Sequence, residues 1–595
     1  MSPKPATIVD VFYHAVERNA PRVMTFKQTI RWINIASHEL YRDAMGTART
    51  LESWGIRKGD RVAILSENRP EWAVADFGTL LLGGVVVPVY PTLPAEQAAF
   101  ILKDSGARVV FCSTTEQLKK VLAIKSETQI EKIVVMDYVG ITEGLPMHRM
   151  MHNQPPGRDA EFDARARTIA PGDLATIVYT SGTTGTPKGA MLTHGNLASN
   201  VCYSLAAHDL QSGELSISYL PLSHITGRHL DYVCFDRGAT IGYSPNPDKV
   251  LDVAAELKPT LLVCVPRVYE KVRAVTRRRT ARGIAKSVYD WAMSVGRAHR
   301  DLVLAGKQPD SLSWKLADSL LFSKVRNAFG GNVRAFISGG APLGRELAEW
   351  FADVGIRILE GYGLTETSPV MCINTPEHHR IGTVGRPLEN VEVHIAEDGE
   401  ILTRGPSIFS SYWNLLEETR NAFVDGWFKT GDIGQIDADG FLTVTDRKKD
   451  LIKTSGGKFV APQPIESALK ANPLVGQAVV VGDRRRFAMV IISPHFPVLE
   501  DWAHANGVEF SSHAQLVAEP RVKALYDGIV ADVNQKLAQF ETLKKVLLVP
   551  EEFTIAKGTL TPSQKVRRRF VEQMYRREID AIYEEASLAK QPVGS

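Results

Sequence analysis

"VRAFISGGAPLGRELAEWFADVGIRILEGYG", residues 333–363, strings together an apolar run, a glycine-rich turn, an amphipathic segment and a second apolar run. Leu343, Leu347, Phe351 and Val354 recur at three- and four-residue spacing, which is one face of a helix. The piece reads as strand, helix, strand, and a helical crossover joins parallel strands. Outward from it the rhythm repeats. "RVAILSE", "VVVPVYPT", "ARVVFCS" and "LATIVYT" read as strands, with "PEWAVADFGTLLLG" and "PAEQAAFILKDSG" as helices among them, and "DKVLDVAAELKPTLLVCVP" adds a helix and a strand. The expected fold class is α/β, a large N-terminal domain of doubly wound sheets whose ligands sit beyond the carboxyl ends of the strands.

From about residue 380 to 445 the pattern turns to short strands broken by Gly, Asp and Pro, such as "VEVHIAEDGEILTRG" and "GFLTVTD". That predicts a small antiparallel, barrel-like subdomain. "DRKKDLIKTSGGKFVAPQPIE", residues 446–466, mixes charge and glycine before a fresh α+β pattern, and the main domain boundary is expected there. At 595 residues the chain exceeds one core of ~150 residues. Its 44% hydrophobic and 23% charged content is ordinary for a soluble protein. Seventy basic against 67 acidic residues leave +3, so no global charge directs it to nucleic acid. Five cysteines (Cys112, Cys202, Cys234, Cys264, Cys372) lie far apart without CxxC spacing. Buried free thiols in a reducing compartment are expected, not a disulfide frame or a zinc site. The opening "MSPKPATIVDVFYHAVERNA" lacks the apolar run of a secretory signal. "FGTLLLGGVVVPVYP" falls short of the ~18 uninterrupted apolar residues of a membrane span. The expected location is cytoplasmic, at most peripheral to a membrane.

"YTSGTTGTPKG", residues 179–189, is the chemically richest turn. The Walker A pattern needs Gly before its lysine and a hydroxyl after it, whereas here Pro187 precedes Lys188 and Gly189 follows. The content still suits polyphosphate. Gly182 and Gly185 let backbone N–H groups approach oxygens, Thr180, Ser181, Thr183 and Thr184 donate hydroxyls, and Lys188 offsets charge. Composition alone would suggest a flexible linker. Its position between the apolar "LATIVY" and "AML" argues for a tethered loop instead.

This stretch resembles the phosphate-loop signature of the acyl-adenylate-forming (AMP-binding) superfamily. "EGYGLTETS" (360–368) and "DGWFKTGDIGQIDADGFLTVTDRKKDLIK" (425–453) resemble its second and third signatures, the latter in its fatty acyl-CoA synthetase form. The likeness covers nearly the whole chain. It implies ATP, Mg2+ and coenzyme A as cofactors and co-substrates, and an acid that is first converted to acyl-AMP with release of pyrophosphate. The carboxylate needs that step because its own leaving group would be oxide. Two anions must meet, so cations and donors have to offset their repulsion, and a magnesium ion is the usual cation on polyphosphate. Glu366 supplies a hard oxygen for the metal and Thr365 a hydroxyl near the α-phosphate. By resemblance Thr180 joins Glu366 at the metal, Tyr362 stacks on adenine, and Glu360, Gly361 and Gly363 with the "SGG" of Gly339 and Gly340 line the base. Asp432 accepts from the ribose hydroxyls, Arg447 joins it, Lys449 is the hinge and Lys453 a phosphate contact. The division this implies is 1–446 for the AMP- and acyl-binding domain, 447–453 for the hinge and 454–595 for a smaller mobile α+β domain.

The family's catalytic lysine sits near the C-terminus. In "GTLTPSQKVRRRF" Lys565 fits, preceded by Gln564 rather than the family's Gly, and Lys557 in "AKGT" is the rival. After pyrophosphate leaves, rotation about Lys449 would turn "TSGGK", with Ser455, Gly456 and Gly457, toward the CoA channel. "LPLSHITGRH" (220–229) resembles the acyl entrance, with His224 near the reacting carboxylate and Arg228 where relatives carry an aromatic gate, an arginine that could pair with the incoming acid. The segment 268–331 is characteristic of the long-chain branch, and its Arg277–Arg279 and Arg282 suggest either a solvated face or weak attraction to an anionic lipid surface. The leading function is a long-chain fatty acid–CoA ligase. The alternatives are a fatty acyl-AMP ligase loading a carrier-protein thiol, a fatty-acid carrier with secondary ATP use, and a catalytically silent binding protein. Partners are long-chain fatty acid, ATP and CoA, with no nucleic acid. Chain-length preference and oligomeric state stay open, a homodimer among the options.

Overall fold

The computed structural model describes residues 4–137, 143–152, 157–180, 187–206, 210–455, 458–561 and 565–588. Two large sheets form the N-terminal part. The eight-stranded sheet has a parallel centre, with Val85–Val89, Arg61–Leu65, Val109–Cys112 and Lys132–Val135 side by side and Leu174–Thr180 next to the first of them. Lys188–Thr193 then folds back antiparallel on Leu174–Thr180, so the strands on either side of the Thr- and Gly-rich stretch pair with each other. The nine-stranded sheet holds the opening motif: Ala335–Ser338, helix Arg345–Asp353, then Ile358–Gly363 parallel to the first strand, with Phe336 opposite Ile358. Leu343, Leu347, Phe351 and Val354 are all buried, as one apolar face requires.

Near-continuous Val and Ile runs mark these strands because helices cover both faces of each parallel sheet. Between the sheets Phe12, Trp72, Phe77, Tyr232 and Phe235 pack into a shared core. The segment after 266 forms its own helical layer, Pro266–Arg279, Gly283–Leu304 and Leu312–Ala317, closed by Trp314, Phe322, Phe329 and Phe351. Residues 392–447 give a five-stranded antiparallel sheet, in which the long strand Trp427–Ile436 pairs with Glu400–Arg404, Phe423–Val424 and Leu442–Arg447. A separate core follows, built on the three strands Val475–Val481, Ala488–Pro494 and Leu543–Leu548 and their helices. All five cysteines are buried free thiols. Among the described residues no helix is long and apolar enough to cross a membrane.

Candidate active site

The carboxyl ends of parallel strands gather the site. Thr180 ends Leu174–Thr180, Gly339 and Gly340 follow Ala335–Ser338, and Glu360 to Gly363 end Ile358–Gly363. Gly340 turns with φ +80°, a conformation that suits glycine. At Gly363 a Cβ would lie 1.8 Å from the Pro369 carbonyl oxygen, so a side chain there would break the return of the strand. Thr365 and Glu366 sit in the short turn Thr365–Thr367 just beyond.

The antiparallel sheet supplies the next pair. Asp432 stands directly opposite Arg447 in the register. Arg447 Nε donates to Asp432 Oδ1 at 2.8 Å, and the Tyr362 hydroxyl donates to Asp432 Oδ2 at 2.5 Å. Burial pushes the Asp432 carboxyl above the usual carboxylate range, opposed by Arg447, Tyr362 and Lys565. Glu360, half-buried and accepting from the Leu343 N–H at 3.4 Å, is pushed up to about 7 by desolvation.

Lys565 arrives from the C-terminal part on a tight hairpin. Thr561 N–H donates to the Lys565 carbonyl at 2.8 Å, the Lys565 N–H donates to Thr561 Oγ1 at 3.0 Å, and Leu560 bridges to Val566. Three residues on, Arg568 anchors this hairpin through Glu466, at 2.5 and 3.0 Å, and through the Val480 carbonyl at 2.6 Å. The Lys565 side chain opens on the cavity. The protein around it and the charge of Arg447 hold its pKa down to about 8, with Asp432 opposing. His224 caps the helix Ile225–Arg237, and its Nδ1 accepts from the Thr226 N–H at 3.1 Å. The ring proton therefore sits on Nε2. Burial first, then the Lys565 charge, lowers the His224 pKa to about 4, which leaves a neutral imidazole with one N–H to give.

Lys565, His224, Tyr362, Asp432, Arg447, Lys449, Glu366, Thr365, Thr180, Lys188, Gly339, Gly340 and Glu360 line one cavity of about 3110 Å³. A single-ligand pocket holds ~300–1,000 Å³, so this space accommodates more than one substrate. Lys188 is paired with Glu418, and Glu366 Oε1 accepts from the Tyr412 hydroxyl at 2.7 Å. Tyr412 and Glu418 carry no sequence signal. Tyr412 reaches the site because Ser411–Tyr412 pairs with Lys188–Thr193. Lys453 lies outside the cavity, over the ring of Phe459, and Ser455 is likewise not on its lining. Lys557 is held by Glu551 at 2.8 Å, also off the lining. Ser181, Gly182, Thr183, Thr184, Gly185, Gly456, Gly457 and Gln564 lie outside the described residues.

Arg228 departs from expectation. It does not line the cavity but turns inward, 1% exposed, against Asp76. Its Nε donates to Asp76 Oδ2 at 3.2 Å and to the Tyr232 hydroxyl at 2.7 Å, while that hydroxyl donates to Asp76 Oδ2 at 2.6 Å. A buried guanidinium finds its counter-charge inside the protein, so it is not available to an incoming acid. Arg228→Leu leaves Asp76 buried and unpaired and is expected to lose about 3–5 kcal/mol of stability, measured by urea unfolding. The double variant with Asp76→Leu recovers part of the loss, since both charges are then gone.

The fold and this cavity define an α/β enzyme of two parts, a paired-sheet body and a small unit that lays one lysine over the body's cleft. Models of the AMP-binding enzyme and of the AMP-binding enzyme C-terminal domain match residues 12–413 and 449–587, and the chain belongs to the AMP-binding enzyme family. It is 37% identical over 586 residues, 96% of each chain, to the long-chain-fatty-acid–CoA ligase FadD15 of Mycobacterium tuberculosis. It is 33% identical to the peroxisomal long chain acyl-CoA synthetase 6 of Arabidopsis thaliana, covering 98% of this chain and 87% of that one. The anthranilate CoA ligase AuaEII in complex with anthranoyl-AMP shares the fold with a TM-score of 0.73 at 21% identity, covering 96% of this chain and 98% of that one. ATP-bound MatB from Rhodopseudomonas palustris matches with a TM-score of 0.70 at 25% identity, covering 95% and 99%.

Proposed function

We propose that this chain is a magnesium- and ATP-dependent long-chain fatty acid–CoA ligase. The observation that carries the reading is the meeting of Lys565, from the C-terminal core, with Asp432, Arg447, Tyr362 and His224 in one cavity. Relatives at 31–37% identity, matched over 96–100% of this chain and 86–96% of their own length, bear that name or an equivalent one.

In the first half-reaction a carboxylate oxygen attacks the α-phosphorus of ATP and the bond to pyrophosphate breaks. Lys565 brings a positive charge to the two anions as they approach. The neutral His224 donates a hydrogen bond from Nε2–H to a carboxylate oxygen without adding charge. Asp432 and Arg447 hold the nucleotide sugar, with Tyr362 against the base. In the second half-reaction the CoA sulfur, having lost its proton, attacks the acyl carbon, and the bond to AMP breaks. The donor set fits magnesium: one half-buried carboxylate, Glu366, and the Thr180 hydroxyl offer hard oxygens. Among the described residues no group of three His, Cys, Asp or Glu forms a metal cage, as suits a cation shared with substrate phosphates. Bound with ATP, the ion would offset the charge of the phosphate oxygens.

The two cores on either side of 447–453 support division into a body of 1–446 and a mobile unit of 454–595. The small unit would swing about Lys449 between half-reactions and bring the segment around Ser455 to the cavity. The test is a panel of fatty, aryl and amino acids scored for pyrophosphate release with and without CoA. Palmitate and oleate are expected to give release that CoA accelerates, with AMP formed in step. Adenylate accumulating unchanged by CoA would point to carrier-protein loading, and tight acyl binding with no pyrophosphate would reject the reading.

A further inference from the structure

The helix Pro266–Arg279 follows the strand Leu261–Cys264, and residues from both of its ends line the cavity. At ~1.5 Å per residue, the stretch from Pro266 to Arg278 is about 18 Å long. It ends in Arg277, Arg278 and Arg279, and Arg282 follows at the cap of the next helix. All of these arginines are exposed, and all open on the same cavity as Lys565 and Tyr362.

The helix's other arginines have partners that account for them. Arg267 reaches Glu270 at 3.6 Å. Arg273 is buried, 3.7 Å from Glu346, and donates to the Ala471 carbonyl of the C-terminal unit at 2.8 Å. Arg277, Arg278, Arg279 and Arg282 form no ion pair with any described residue. Of the acids nearby, Glu346 and Glu349 are engaged by Arg273 and Arg300, while Asp248, Asp501 and Glu552 also face the cavity. Unpaired guanidiniums that line a reaction cavity call for an anionic ligand that enters it.

We propose that Arg277, Arg278, Arg279 and Arg282 form the subsite for the 3′-phosphate and pyrophosphate of coenzyme A, whose pantetheine arm then follows the helix to the reaction centre. The proposal rests on the ligase reading and locates its second substrate. Guanidinium forks match phosphate oxygens in pairs, and several on adjoining turns engage more than one phosphate. Each contact is exposed and screened, so recognition is expected to weaken with salt. A lipid surface is the other anion to consider, but these side chains line the same cavity as Lys565 and Tyr362, which a flat bilayer does not enter.

The test is the exposed triple variant Arg277→Ala, Arg278→Ala, Arg279→Ala in the full-length protein. CoA affinity by calorimetry and KM for CoA are expected to weaken by about tenfold or more, the loss of several charge-assisted contacts. Oleate-dependent ATP–pyrophosphate exchange stays unchanged. Wild type favours CoA over 3′-dephospho-CoA, and the variant loses that preference. Unaltered CoA affinity with the preference retained overturns the proposal. So does loss of flotation on phosphatidylglycerol-containing vesicles with CoA kinetics intact, which would give the arginines to a lipid surface. Wild type that forms no oleoyl-CoA overturns the ligase reading and this subsite together, whereas normal turnover by wild type and variant alike overturns the subsite alone.

Discussion

Lys565→Ala lowers oleate-dependent ATP–pyrophosphate exchange by about 10²–10³-fold, the usual cost of removing one preorganised charge from a transition state. Conversion of supplied oleoyl-AMP and CoA to oleoyl-CoA falls far less. The asymmetry follows from where the hairpin puts the lysine. Leu560, Thr561 and Val566 fix its base, Arg568 ties it to Glu466, and the side chain shares a cavity with His224, Asp432 and Arg447. That placement serves the step in which two anions meet, not the displacement of AMP by a thiolate. Equal loss in both half-reactions would show that the variant damages the cavity as a whole.

The same residue sets a pH limit with a definite sign. Desolvation by the protein around the ammonium and the charge of Arg447 bring the Lys565 pKa down to about 8, so the charged form that assists adenylation is depleted as pH rises through that value. Exchange is therefore expected to fall about tenfold per pH unit above pH 8, well below the ordinary lysine range. The measurement is made without CoA, whose thiol ionises in a similar region. The alkaline limb vanishes from the residual activity of Lys565→Ala and moves upward in Lys565→Arg.

Much of this architecture is legible in the chain because it rests on local pattern. The spacing of Leu343, Leu347 and Phe351 marks a covered helix, and the Val-rich runs mark strands buried on both faces. Glycine at 363 reflects a contact only a few residues away. Pairings between distant segments are another matter. Asp76 and Arg228 are 152 positions apart, and Glu366 and Tyr412 are 46 apart. A lone arginine on a loop-to-helix segment reads the same whether it faces a ligand or a buried carboxylate. For Arg228 the low dielectric of the core decides, since a guanidinium there is stable only with its counter-charge in place. Tyr412 is hidden for a similar reason: its position comes from a two-residue strand that pairs with the far side of the Thr-rich hairpin.

Asp432→Asn tests the remaining electrostatic claim, because this carboxylate does two things at once. It accepts from Arg447 and Tyr362, and its charge raises the pKa of Lys565 against the pull of desolvation and of Arg447. Asparagine keeps the shape and removes the charge, leaving Arg447 uncompensated beside the lysine. KM for ATP is expected to rise by about 10-fold or more, since a charged acceptor for the ribose is lost and charge-assisted hydrogen bonds contribute ~1.5–3 kcal/mol. The alkaline limb of the exchange reaction should at the same time shift below pH 8, because the negative charge favouring the protonated lysine is gone while the repulsion from Arg447 persists. A purely structural role for Asp432 would weaken ATP binding and leave that limb where it was. A rise in KM together with a downward shift therefore links the two residues through charge, and restoring the limb with Arg447→Gln in the Asp432→Asn background would show that the repulsion, rather than a displaced hairpin, had moved it.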